Sequence, residues 1–288
     1  MLYLDLTLQG LVQGAIYVLI ALGLTLVYGL LRILHIAHAA LFTLGGYLGV
    51  ITFNATGSLL ASFAIAMPVV GLAGMGVYEL VYKPILSKPP FVALIASIGL
   101  FICAEELFRI VFGPYGISYA SQPLAGVVPL GNGLTLRTAE LAAIAGAVLS
   151  IVLLWLLSTR TRLGLAWRAT VTDPEMAESF GVSIAQVRHL NFFVGSALAA
   201  AGGVMVGLLN NLVEPGMGAV PSYKAMAIIV LGGLGSIPGT LVACFSLGVI
   251  ESFGSIYLGA LLDRDAIAFA FLIVVLMLRP QGLIAARS

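Results

Sequence analysis

The chain has 288 residues, 61% of them hydrophobic and 9% charged, with a formal net charge of +1. Soluble domains run at about 45–50% apolar and about 25% charged residues, so a water-soluble fold is excluded and the apolar surface belongs in a bilayer. The near-zero net charge excludes a nucleic-acid partner, which would require a basic face.

A membrane-spanning helix needs about 20 mostly apolar residues. In chain order, apolar runs between polar breaks predict spans at 8–30, 34–53, 59–82, 91–112, 139–158, 189–210 and 238–258, with a shorter one at 265–279. Residues 222–234 read as an apolar run too short to span, ending in "LGGLGSIPGT". The expected fold class is an all-α polytopic membrane protein, one transmembrane domain over 1–288. It is a bundle of about eight transmembrane helices plus a short or re-entrant helix and a short helix in a polar loop at 159–188. The first basic residue is Arg32, so the basic start of a cleaved leader is missing.

Lys and Arg in short loops set orientation. Three clusters, Lys83 with Lys88, Arg160 with Arg162, Arg168 and Arg188, and Arg279 with Arg287, are expected on the cytoplasmic side. The loop 113–137 carries a single basic residue, Arg137, and is expected outside, as is the N-terminus with Asp5. A cytoplasmic C-terminus then requires 222–258 to enter and leave the membrane, reversing at "GGLGSIPG". A broken helix at membrane depth is tolerated only where protein or a water-filled cavity covers its backbone. This makes Gly232, Gly233 and Gly235 candidate pathway residues; a plain tight turn between packed helices is the alternative. "GLVQGAIYVLIALG", "LFTLGGYLG" and "SALAAAGGVMVG" space small residues by three and four, which predicts close helix packing rather than ligand contact.

No enzyme constellation emerges. His35 and His38 share a helical face without a third ligand, Cys103 and Cys244 are isolated, and "LGGLGSIPGT" lacks the Lys of a phosphate-binding loop. No cofactor or metal is expected on this chain. Glu105, Glu106 and Arg109 are spaced to neutralise one another near the external end of their helix. Glu251 stands alone near the middle of 238–258, either hydrogen-bonded in the bundle or lining a pathway, and it is the residue on which an ion-coupled carrier would depend.

The strongest polar signal is "TVTDPEMAESFG", residues 170–181. Asp173 before Pro174 reads as a helix start, and Thr172 with Glu175 offers a capping box one residue earlier. Gly181 reads as the stop. A helix of about seven residues is predicted, with Met176, Ala177 and Phe180 on one side and Glu175, Glu178 and Ser179 on another. So short a helix is not stable alone and needs a surface: a groove on a partner or its own bundle.

"GLVQGAIYVLIALGLTLVYGLLRILHIAHAALFTLGGYL", "RATVTDPEMAESFGVSIAQVRHLNFFVGSALAAAGGVMVG", "AIIVLGGLGSIPGTLVACFSLGVIES" and "LMLRPQGL", in that order, resemble the LivH-type permease subunits of bacterial ABC importers for branched-chain amino acids. The resemblance implies that 173–181 is a coupling helix docking into an ATPase subunit, with Glu178 and Gly181 as its pattern residues. It further implies a homologous LivM-type second permease, two ATPase subunits that hold ATP-Mg, a periplasmic substrate-binding protein and a bacterial inner-membrane location. Relatives of the same superfamily import other amino acids, urea or aromatic acids. His35 stands where an Asn is common and Ala39 where a Gly is, a departure that touches packing or substrate preference.

Overall fold

The structure, a computed structural model, describes residues 2–131, 134–279 and 281–284. Its helices in chain order are α1 (Leu2–Leu31), α2 (His38–Thr56), α3 (Leu59–Val77), α4 (Pro90–Phe112), α5 (Thr138–Arg160) and α6 (Arg162–Thr172), followed by α7 (Pro174–Ser179), α8 (Ile184–Asn210), α9 (Ala219–Gly232), α10 (Ile237–Tyr257) and α11 (Arg264–Leu278). Seven of the helical segments are long and apolar enough to cross a membrane, with α3 continuing through a π turn and a 3₁₀ turn to Ile85. At 1.5 Å per residue, the 14-residue α9 and 15-residue α11 are only about 21 and 22 Å long, short of a bilayer core. The all-α polytopic expectation holds; the last predicted span is the short α11.

α1 and α8 are the centre. In their most apolar windows 72% and 78% of residues are buried, against 17% in α4, which therefore turns most of its surface outward. A helix apolar on every side can be buried on every side, and α1 is buried continuously from Tyr17 to Val27. α8 packs against α1, α2 and α3, while α10 covers another face of α1.

Glycine makes these contacts close. A Cβ on Gly203 of α8 would lie 1.9 Å from the Phe42 carbonyl oxygen of α2, and one on Gly45 of α2 would lie 2.3 Å from the Ala200 Cα of α8. On the other side, a Cβ on Gly248 of α10 would fall 2.3 Å from the Gly10 oxygen of α1. The small-residue spacing read from the sequence is thus backbone-to-backbone packing. Gly203→Ala is expected to cost about 1–3 kcal/mol through forced separation of α2 and α8. Gly76→Ala, where a Cβ meets nothing within 4 Å, should be neutral or gain up to about 1 kcal/mol from the lower entropy of the unfolded chain. Denaturant midpoints of the two purified variants check the contrast.

Two local features depart from expectation. Residues 34–37, expected in a span, are not helical: Arg32 has φ +53°, and α2 begins only at His38. Side chains from other elements hold this link. The Ser97 hydroxyl accepts the Ala37 N–H at 2.9 Å and the Tyr82 hydroxyl at 2.8 Å, while His35 Nδ1 meets the Tyr82 hydroxyl at 2.6 Å. The loop after α4 also carries short strands. β1 (Ile117–Ser118) pairs antiparallel with β4 (Leu212–Val213), and β2 (Val127–Gly131) pairs with β3 (Leu134–Arg137). Asn54 at the end of α2 pins this loop, donating to the Ser118 carbonyl and accepting from the Ala120 N–H.

Candidate functional site

The polar loop folds into a corner, α5–α6–α7–α8. Thr161 caps α6, its hydroxyl accepting the Gly164 N–H at 3.0 Å and donating to the Leu157 carbonyl at 2.6 Å. Gly164 is obligatory here, because a Cβ would sit 2.1 Å from that same carbonyl oxygen. The chain thus doubles back tightly on the end of α5, where Arg168 also donates to the Ser158 carbonyl.

α7 then starts at Asp173, whose backbone is extended (φ −151°, ψ 99°) and whose carboxylate accepts the Met176 N–H at 2.9 Å. Pro174 is its first helical residue. The capping box proposed for Thr172 and Glu175 does not form. Thr172 is still inside α6, where its hydroxyl donates to the Arg168 carbonyl at 3.0 Å, and so cannot serve as the cap of the next helix. Gly181, at φ +83°, ends the element as expected, and the Val182 N–H closes the turn on the Ala177 carbonyl at 3.0 Å.

α7 has two faces, though not the two read from the sequence. Ala177 is buried (4% exposed) and seats the helix on its own bundle, whereas Met176 (55%) and Phe180 (81%) point away from it. Glu175 and Glu178 are exposed beside them. The helix therefore rests on the bundle by one small side chain and presents two large apolar groups with two carboxylates outward. Thr172, Asp173, Glu175, Met176, Glu178, Phe180 and Gly181 are brought together in this one knob.

Directly behind it lies a cavity of 480 Å³, framed by Gly181, Val182 and Ser183 on one side, by Leu163 and Trp167 of α6, and by Asn191 of α8. The Trp167 indole N–H has no hydrogen-bond partner among the described residues.

The pathway candidates divide. Gly232, Gly233 and Gly235 build the turn between α9 and α10. Gly233 (φ +102°) and Gly235 (φ +81°) take a backbone that other residues avoid, and a Cβ on Gly232 would meet the Gly239 carbonyl carbon at 2.5 Å. Glu251 lies 14 residues along α10 from its start, about 20 Å from that turn, so the four do not form one site.

Nor is Glu251 solitary. It is fully buried, accepts the Tyr17 hydroxyl at 2.6 Å, and is paired with Lys224 Nζ at 3.1 Å and Arg264 Nε at 3.0 Å. Lys224 also reaches Asp265 at 2.8 Å, and Asp265 accepts the Tyr223 hydroxyl at 2.6 Å. Four charges, two of each sign, thus tie α9, α10 and α11 to Tyr17 of α1. Lys224 is the residue that sequence reasoning missed, because its neighbours in the run 222–234 are mostly apolar and the run reads as an apolar segment. The available signal was a lone cation and a lone carboxylate on helices joined by a short turn, each too costly to bury without the other.

The pairing expected of Glu105, Glu106 and Arg109 forms. Arg109 bridges Glu105 at 2.7 Å and Glu106 at 2.8 Å. His35 and His38 do not share a helical face: His35 lies in the non-helical link and His38 is the first residue of α2, with both rings buried and their centroids 5.8 Å apart.

Residues 6–278 match the family described as "Branched-chain amino acid transport system / permease component". The chain is 30% identical over 295 residues to the high-affinity branched-chain amino acid transport system permease protein BraD of Pseudomonas aeruginosa, covering 98% of this chain and 95% of that one. It is equally similar, 30% over 295 residues with the same coverage, to the corresponding permease protein LivH of Escherichia coli K12. A more distant similarity, 26% over 303 residues, extends to LivM of the same bacterium, covering 93% of this chain and 68% of that protein.

Proposed function

Because the chain belongs to the permease-component family of branched-chain amino acid transport systems, we propose that it forms half of the membrane pathway of an ATP-driven importer of aliphatic amino acids. In this reading a LivM-type permease is the other half, a reading supported by the similarity of this chain to LivM itself. Two ATPase subunits bind and hydrolyse ATP-Mg on the cytoplasmic side, and a periplasmic binding protein delivers substrate from the other. The membrane is the bacterial inner membrane. The basic clusters at Lys83 and Lys88, at 160–188 and at Arg279 support a cytoplasmic α7 and C-terminus and a periplasmic N-terminus.

The observation that carries the reading is the shape of α7. A helix seated by Ala177 alone, with Met176 and Phe180 turned outward between Glu175 and Glu178, is built to be held by another protein. Closing of the ATPase dimer would displace this knob, and α6 and the start of α8 would follow because Gly164 and Ser183 tie the corner to both. The cavity behind Gly181 gives the displacement room. No observation favours an ion-coupled carrier: Glu251 is already compensated by two cations, and the relatives are permease proteins of branched-chain amino acid transport systems.

The test is reconstitution. Proteoliposomes holding this chain with its second permease, ATPases and binding protein should accumulate L-[³H]leucine only when ATP is enclosed on the ATPase side. Uptake by this chain alone, driven by a proton or sodium gradient, would reject the proposal.

A further inference from the structure

At the end of the bundle opposite α7 a second cavity, of 330 Å³, opens between α1, α5, α8, α9 and α11. Its position follows from α5: Arg137 and Glu140 at the helix start line it, whereas the far end of α5 leads into α6. The volume is within the range of small-molecule sites, about 300–1,000 Å³.

The lining changes character with depth. One stripe of α1 reads Gln9, Gln13, Ile16, Ile20, at helical spacings of four, three and four, so amides near the helix end give way to aliphatic side chains further in. α8 repeats the order, with Val206 inside and Asn210 at its last turn. The cavity therefore has amides at its mouth and, further in, the aliphatic Ile16, Ile20 and Val206 beside the buried Tyr17 and Lys224.

Three cations line it: Arg137, Lys224 and Arg264. Each arginine is anchored through Nε, Arg137 to Glu140 at 2.8 Å and Arg264 to Glu251 at 3.0 Å. Neither guanidinium makes a hydrogen bond through its Nη atoms to any described residue, which leaves the outer edge of both forks available. That edge matches a carboxylate in bidentate geometry. Behind the cations stand three carboxylates, Glu140, Glu251 and Asp265, so the site as a whole is neutral. A neutral site pays least to bury a ligand that is itself neutral overall but carries a carboxylate.

We propose that this cavity binds a zwitterionic aliphatic amino acid, a reading that rests on the permease assignment and gives it a site. The carboxylate meets the Nη groups of Arg264 and Arg137, the ammonium meets the amide oxygens at the mouth, and the side chain lies on Ile16, Ile20 and Val206. Glu251 and Glu140 are positioning residues: they hold the two forks and do not touch the ligand.

The experiment uses protein purified from its native membrane with the partners it retains, placed in nanodiscs, with L-[³H]leucine as the probe. Saturable binding is expected, displaced by L-valine and not by L-leucinamide, which lacks the carboxylate. Arg264→Gln and Arg137→Gln should each weaken binding about tenfold or more, with unchanged elution on gel filtration. Arg137 is more than half exposed, so its variant tests the site even where Arg264→Gln fails to fold. Unchanged affinity in both variants, or displacement by leucinamide, overturns the site. If the complete system takes up leucine with ATP while both variants transport normally, the site falls and the permease reading stands. If no aliphatic amino acid is taken up at all, the reading itself falls. Repeating the binding in phosphatidylcholine alone and with phosphatidylglycerol separates a lipid headgroup: arginine-dependent phosphatidylglycerol retention that excludes leucine also overturns the proposal.

Discussion

Glu178→Arg is expected to strip the ATPase subunits from the purified complex while the second permease stays bound. The change leaves the fold intact for a local reason. Glu178 is exposed at the C-terminal end of α7, and its side chain takes no part in the caps: Asp173 caps the start, and only the Glu178 backbone carbonyl accepts at the end, from the Gly181 N–H. A cation there is favoured by the helix dipole. What changes is the face presented to a partner. Two exposed carboxylates flank Met176 and Phe180, and a groove that fits them is expected to be basic. Reversing one charge then puts like charges together at several kcal/mol, a loss of about a hundredfold or more in affinity. Phe180→Ala removes the larger apolar group, 81% exposed in the free chain, and should weaken the same association by about thirtyfold, the usual cost of an aromatic anchor of about 2 kcal/mol. Pull-downs of wild type and both variants, with ATP-driven uptake measured on the same preparations, check the expectation. Retention of the ATPases by both variants would remove α7 from the coupling role and turn attention to the loop at Lys83–Lys88.

That helix was legible in the sequence because its ends are chemical. Asp-Pro before it and Gly after it specify a start and a stop without reference to the rest of the molecule, and the structure uses both. Its faces were not legible. Met176, Ala177 and Phe180 are all apolar, and only the docking of α7 onto its neighbours separates Ala177, which is buried, from the two that are free. The same limit applies to the membrane helices. Apolar length predicted eight spans, of which seven are helices long and apolar enough to cross a membrane, while the eighth is the short α11. It said nothing of the non-helical stretch at 34–37, which depends on Ser97 and Tyr82, 45 or more residues away in the chain. The glycine pattern was informative in between: spacing alone indicated close packing, and the partners had to come from the fold.

The charges within the bundle show where single-residue reading fails, and they support the second large expectation. Lys224→Met is expected to destabilise the protein by about 3 kcal/mol. The reason is asymmetry: the variant removes one of two cations from a carboxylate that has no contact with water, while Arg264 and Tyr17 retain part of its compensation. Glu251→Gln should cost less, about 1–2 kcal/mol, because Lys224 keeps Asp265 at 2.8 Å and the new amide still accepts from Tyr17. The double variant should be less unstable than the sum of the two, since each change removes the cost of the other's unpaired charge; unfolding midpoints of the four proteins form the cycle that measures this coupling. Additive effects would mean that the two groups do not share a clamp. Transport gives an independent answer. Glu251→Gln removes a titratable group and loosens the anchor of Arg264, so ATP-driven uptake should fall, but its pH profile should keep its shape. A profile flattened by this substitution would make Glu251 a proton carrier. The geometry gives Glu251 a structural task instead, since its two oxygens hold Lys224, Arg264 and the Tyr17 hydroxyl and so tie α9, α10 and α11 to α1.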